Sequence, residues 1–107
     1  MSLDVYLEVM RPVEVYESNI THNLARMADV AGIYEACWRP EEIGVTTAAQ
    51  LIPLLAAGLE KLEAHPEHYR QFDAPNGWGR YEHFVLWVRE YLAACRENPE
   101  ATVRVSR

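Results

Sequence analysis

Ser18-Asn19-Ile20-Thr21-His22-Asn23-Leu24 concentrates hydrogen-bonding side chains at the point where the chain leaves a strand pattern for a helical one. Asn19 suits the position before the helix, where its side-chain oxygen accepts from a free N–H of the first turn. At 3.6 residues per turn, Ile20, Leu24, Met27, Ala28 and Ala31 then share one face, which seeks the core. Asn19, His22, Asn23 and Arg26 share another, one turn apart. An imidazole, two amides and a guanidinium beside a helix N-terminus suit an anionic or amide-bearing ligand, because free N–H groups and the helix dipole favour negative charge there. A capped, solvated helix face has the same pattern.

Upstream, Leu3, Val5, Leu7 and Val9 alternate with Asp4, Tyr6, Glu8 and Met10, the period of a strand with one buried face. Arg11-Pro12 ends or bends it, and Val13 and Val15 against Glu14 and Tyr16 suit a second short strand, either as a hairpin or as a bent continuation. Downstream, Gly32 is placed to close the first helix in a left-handed cap, with a further helical turn or two over Ile33–Trp38. Arg39 before a proline reads as extended, Pro40 opens a short turn, and Gly44 releases it.

Thr47 with Gln50 has the form of a capping box for a helix that runs to about Ala64. Its core stripe is Ala48, Leu51, Ile52, Leu55, Leu59 and Leu62, with Pro53 on the opposite side. Pro66 starts another turn, Asp73–Gly79 is a loop, and a third long helix begins near Arg80. Its stripe is Tyr81, Phe84, Val85, Val88, Tyr91, Leu92 and Cys95; Leu86 and Trp87 fall outside it, so this helix is expected to be covered on more than one side. Val103 and Val105 mark a final strand that pairs with the first. The expectation is a single α+β domain over residues 1–107, with about three helices on one face of a two- or three-stranded sheet formed by the N- and C-terminal segments.

Half of the 107 residues are hydrophobic, enough for a core without metal or disulfide staples. The net charge of −6 argues against nucleic acid, whose backbone demands a basic stripe. Cys37 and Cys95 lie among apolar residues in no C-x-x-C pattern, so they read as buried free thiols suited to a reducing cytoplasm. Met1-Ser2-Leu3-Asp4 lacks the basic and apolar regions of a signal peptide, and no apolar run approaches a membrane span. No membrane partner is expected.

Several side chains carry chemistry worth placing. Arg39 beside Trp38 suits a clamp on a planar or phosphorylated ligand, or pairing with Glu41 or Glu42 over a core indole. Asn76-Gly77-Trp78-Gly79 either presents an indole over a pocket or folds it onto the core. His65 and His68 lack the further ligands that zinc requires, and no metal or cofactor is expected. Ser18, His22 and Glu17 can be drawn as a nucleophile, base and orienter on proximity alone. No phosphate-binding glycine pattern or nucleophile elbow is present.

Tyr16–Leu24, Ala31-Gly32-Ile33-Tyr34-Glu35, Trp38-Arg39-Pro40-Glu41-Glu42, Asn76-Gly77-Trp78-Gly79 and Tyr91-Leu92 resemble a family of small uncharacterised proteins encoded by bacteriophages and prophages. The resemblance runs nearly end to end. It implies binding of a host factor or a nucleotide-like molecule rather than core metabolism. Some members of that family carry a longer insertion before the Asn-Ile-Thr-His word, where this chain has only Pro12 to Tyr16. The functional expectation is therefore a binding protein that holds a small polar or anionic ligand, or a host protein, through Asn19, His22, Asn23 and Arg26, with Arg39, Asn76 and Trp78. The alternatives are a small hydrolase or transferase with His22 as general base, and an assembly protein that forms a homodimer or particle contact through Tyr34, Trp38 and Trp78.

Overall fold

The computed structural model describes residues 2–9 and 13–107, and it leaves out the side chain of Val13. The Arg11-Pro12 break therefore lies outside the described residues. The first strand, β1 (Ser2–Val9), lies between two antiparallel partners, β2 (Val13–Thr21) and β3 (Thr102–Ser106). Strands β1 and β2 form a hairpin, which resolves the earlier ambiguity between hairpin and bent continuation. The alternation of β1 has the expected outcome: Leu3, Val5 and Leu7 are fully buried, and Asp4, Tyr6 and Glu8 are half-exposed. Cross-strand partners share a face, so Ile20, Ser18 and Tyr16 of β2 and Val105 and Val103 of β3 lie on the inner side with them. Glu8 pairs with Glu14 and Leu7 with Tyr16, which leaves Val15 as the unpaired residue of a bulge.

Asn19 is not a helix cap, and the helix does not begin at Ile20. Both residues are in β2, opposite Asp4 and Leu3, and the strand continues through Thr21 opposite Ser2. Thr21 is the cap: its hydroxyl accepts from the Asn23 N–H at 3.2 Å. A single 3₁₀ turn over His22–Leu24 then leads into α1 (Ala25–Val30). Ile20 and Leu24 are four residues apart, a spacing that suits one face of a strand as well as one face of a helix. Pairing with the buried β1 decides for the strand.

Gly32, at φ +80°, closes α1 as expected, and α2 (Tyr34–Trp38) is the further helical segment. A 3₁₀ turn over Pro40–Ile43 ends at Gly44, at φ +74°. In α3 (Ala48–Ala64) the capping box is complete: the Gln50 side-chain oxygen accepts from the N–H groups of Thr46 and Thr47 at 2.7 and 3.0 Å. Pro53 sits inside this helix on its exposed side. The short α4 (Pro66–Arg70) precedes a loop and then α5 (Tyr81–Glu97), where Trp87 is buried and Leu86 is exposed. Three helices pack on the sheet, so the α+β architecture is as expected. Tyr81 fastens α5 to α3 by donating from its hydroxyl to the Leu62 carbonyl at 2.6 Å. Cys37 and Cys95 are buried free thiols, and burial pushes Cys95 up to about 12.

Gly58 explains how closely α3 approaches the α1–α2 corner. It is buried inside a helix, and a Cβ there would overlap Ile33 Cγ2. Glycine disfavours a helix interior relative to alanine by about 1 kcal/mol, so helix propensity alone favours Gly58→Ala. Steric overlap in a packed core opposes it at about 1–3 kcal/mol. The substitution is expected to lower the midpoint of urea unfolding with an unchanged slope; a raised midpoint would show that Ile33 yields freely.

Candidate functional site

The polar stretch does not form one patch. It divides among three neighbourhoods, because Asn19 belongs to a strand and His22 and Asn23 to a 3₁₀ turn.

The first neighbourhood is a polar clasp around Trp38. The indole is 2% exposed, and its Nε1–H donates to His22 Nδ1 at 2.7 Å. Nδ1 is thereby the acceptor, which places the proton of the neutral imidazole on Nε2. Tyr34 stacks on the indole at 5.6 Å between centroids and accepts from Arg39 Nε at 3.2 Å through its hydroxyl. Arg39 also pairs with Glu42 at 3.0 Å. Arg107 donates to the Trp38 carbonyl at 2.8 Å and pairs with Glu41. Trp38 is therefore a core residue, and Arg39 is engaged with Tyr34 and Glu42. Tyr34, Trp38 and Trp78 form no joint exposed patch. Glu17 and Ser18 face opposite sides of β2, so the drawn relay through His22 is not built.

The second neighbourhood holds Arg26, whose guanidinium lies over the Phe72 ring at 5.4 Å. With Asn23, Gln71, Asp73 and Asn76 it lines an open depression of about 600 Å³.

The third is a groove of about 610 Å³ between the end of β2, the Asn76–Gly79 loop and α5. Sequence reasoning named Asn19, Asn76 and Trp78 here, and missed Ile20, Leu86, Trp87 and Glu90. The signal for the missed pair on α5 was present: Leu86 and Trp87 fell outside the core stripe. On a helix His83, Leu86, Trp87 and Glu90 share one side, and they form the groove wall. Behind it the aromatic rings continue inward, from Trp87 to Tyr91 at 5.3 Å and from Tyr91 to Tyr16 at 5.8 Å. The Trp87 Nε1–H and the Tyr91 hydroxyl are buried with no partner among the described residues. Burial raises the Tyr91 hydroxyl well above its ordinary range, so it stays protonated.

Trp78 is 73% exposed, so its loop presents the indole instead of plugging the core. The loop itself is held. Asn23 Nδ2 donates to the Trp78 carbonyl at 2.7 Å, and Asn76 Oδ1 accepts from the Trp78 N–H at 2.9 Å. The Ala74 N–H donates to the Gly79 carbonyl at 2.9 Å, which closes the base of the loop. Gly79, at φ +131°, lies against the strand-to-helix corner: a Cβ there would come within 3.1 Å of Asn23 Cβ. Asn23 is thus an anchor for the loop, with one N–H of its side-chain amide committed to the Trp78 carbonyl.

Among the described residues, Glu90 is the only Asp, Glu, Lys or Arg side chain in the groove lining, and α1 is six residues long, preceded by the 3₁₀ turn that Thr21 caps. The features that suggested an anion are therefore not assembled at this concavity. Among the described residues no three His, Cys, Asp or Glu side chains converge to hold a metal ion, and no helix is long and apolar enough to cross a membrane. No family model, curated protein or solved structure matches the chain.

His22→Ala would leave the buried Trp38 N–H without an acceptor. An unsatisfied buried donor costs about 1–3 kcal/mol. The variant is expected to lose that much stability in urea unfolding while Trp78 fluorescence stays solvent-exposed; unchanged stability would remove His22 from the clasp.

Proposed function

We propose that this chain is a binding protein, and that its site is the groove beneath Trp78, not a polar helix face. One observation carries the reading. A largely exposed indole is held by an anchored loop beside an apolar concavity that is walled by Leu86, itself 49% exposed, and Trp87. Exposed aromatic and aliphatic side chains around a concave surface are what a partner's apolar group packs against. The volume is in the range of sites that hold a small ligand or a single anchoring side chain. The ligand group that fits is apolar or aromatic, with a polar rim met by Asn19 and Asn76. The resemblance to phage-encoded proteins favours a host protein as its source.

A hydrolase with His22 as general base has less support. Its Nδ1 is committed to Trp38, and His22 does not line the groove.

N-acetyl-tryptophanamide at millimolar concentration serves as a probe of the groove by nuclear magnetic resonance. The expected result is shifts confined to the Trp78 and Trp87 indole N–H signals and the Leu86 and Ile20 methyls, reduced in Leu86→Ala. Absence of shifts, or shifts centred on Arg26 or Arg39, would overturn the reading.

A further inference from the structure

The two edges of the sheet are treated differently. The outer edge of β3 is covered at its start: Thr47 bridges Thr102, and the Val103 N–H donates to the Thr46 carbonyl at 2.9 Å. The outer edge of β2 has no such cover. Among the described residues, the backbone of Val13–Thr21 pairs only with β1. A nine-residue open edge offers a row of unpaired N–H and C=O groups to another extended chain. The groove beneath Trp78 opens at the C-terminal end of this same strand, where Asn19, Ile20 and Thr21 contribute to its lining.

We propose that the open edge of β2 accepts an extended, lysine- or arginine-bearing segment of a partner protein as a fourth strand, with one apolar side chain of that segment seated beneath Trp78. This rests on the groove being the binding site, as argued above, and adds the class of partner.

Charge selects the occupant. Glu14 and Glu17 are exposed along β2, and Glu90 lies on the far wall of the groove. Among the described residues, the cation that pairs with these strand glutamates is Arg104, and it is already shared: it contacts Glu8 at 3.3 Å and Glu14 at 3.4 Å and lies over the Tyr6 ring at 3.9 Å. Desolvation and the neighbouring Glu17 carboxylate raise Glu14 above its usual range, which marks an acidic cluster not fully neutralised from within. A strand that carries cations at alternate positions would lay them against these glutamates while its backbone completes the ladder. A second copy of the chain fits less well. Antiparallel pairing of β2 with itself brings the two sets of Glu14 and Glu17 together, between two molecules that each carry a net charge of −6.

The test uses three eight-residue peptides on the whole protein: an alternating lysine–threonine peptide with one central phenylalanine, its glutamate counterpart, and the lysine peptide N-methylated at alternate residues. Titration is followed by calorimetry, by hydrogen exchange of the β2 amides, and by the Trp78 indole signal. The expected result is binding of the lysine peptide with slowed exchange along Val13–Thr21 and a shifted Trp78 signal. Affinity should fall at least about tenfold on N-methylation and on Glu17→Lys, one pairing or charge contact being worth about that factor. The glutamate peptide should not bind. Equal binding of the parent and N-methylated peptides would overturn strand addition and leave the groove reading standing. So would failure of every peptide while N-acetyl-tryptophanamide still shifts Trp78. Failure of that probe as well would remove both readings. Equal binding of the glutamate peptide would overturn the charge argument, and a dimer of the bare protein with protected β2 amides would give the edge to a second copy.

Discussion

Everything in this fold depends on β1 being buried between two strands. Leu3, Val5 and Leu7 are fully buried, so the backbone that carries them must find hydrogen-bond partners within the protein. It finds β2 on one side and β3 on the other, and the two ends of the chain are thereby joined in one sheet. That pairing also sets the length of β2. The ladder runs to Ser2 opposite Thr21, and the chain stays extended through Asn19 and Ile20 before it can turn. With β1 central, β2 is an edge by construction.

The corner that follows β2 organises the groove. Thr21 caps the turn, Asn23 reaches back to the Trp78 carbonyl, and Gly79 fits against both. The Asn23 and Gly79 contacts join residues more than fifty positions apart, and they hold an exposed indole beside the groove wall of α5. Glycine is required at position 79 both for its backbone angle and for the close approach. The polar side chains of the opening stretch thus act mainly by positioning: Thr21 and Asn23 fix the corner and the loop, and His22 satisfies the indole of Trp38.

The aromatic residues divide into two roles. Trp38 is enclosed by Tyr34, His22 and Arg107 and ties α2 to the segment that follows β3. Trp87 and Tyr91 connect the groove wall to the interior, and their polar atoms are left unpartnered among the described residues. Buried donors without partners are costly in a core, and they lie here behind the wall of the one concavity where an exposed tryptophan stands.

Much of the architecture was legible in the chain itself, because periodicity and capping are local. The alternation of β1, the Thr47–Gln50 box, the left-handed cap at Gly32, the turn that Gly44 ends and the apolar stripes of α3 and α5 are each specified within a few residues, and each is found in place. Local rules failed at Asn19–Leu24, where a spacing of four suits strand and helix equally and pairing with a distant strand decides. They failed for the same reason at the site. The grouping of Asn19, His22, Asn23 and Arg26 assumed one helix face, whereas Asn19 lines the groove beneath Trp78, His22 meets Trp38 and Arg26 meets Phe72. Leu86 and Trp87 could be seen to leave the core stripe, but no local signal says what faces them. The sequence by itself determined the elements and the class of fold, since these follow from neighbours along the chain. The tertiary structure alone decided the groove and the open edge, since both are made by residues that meet only after the first and last strands have paired.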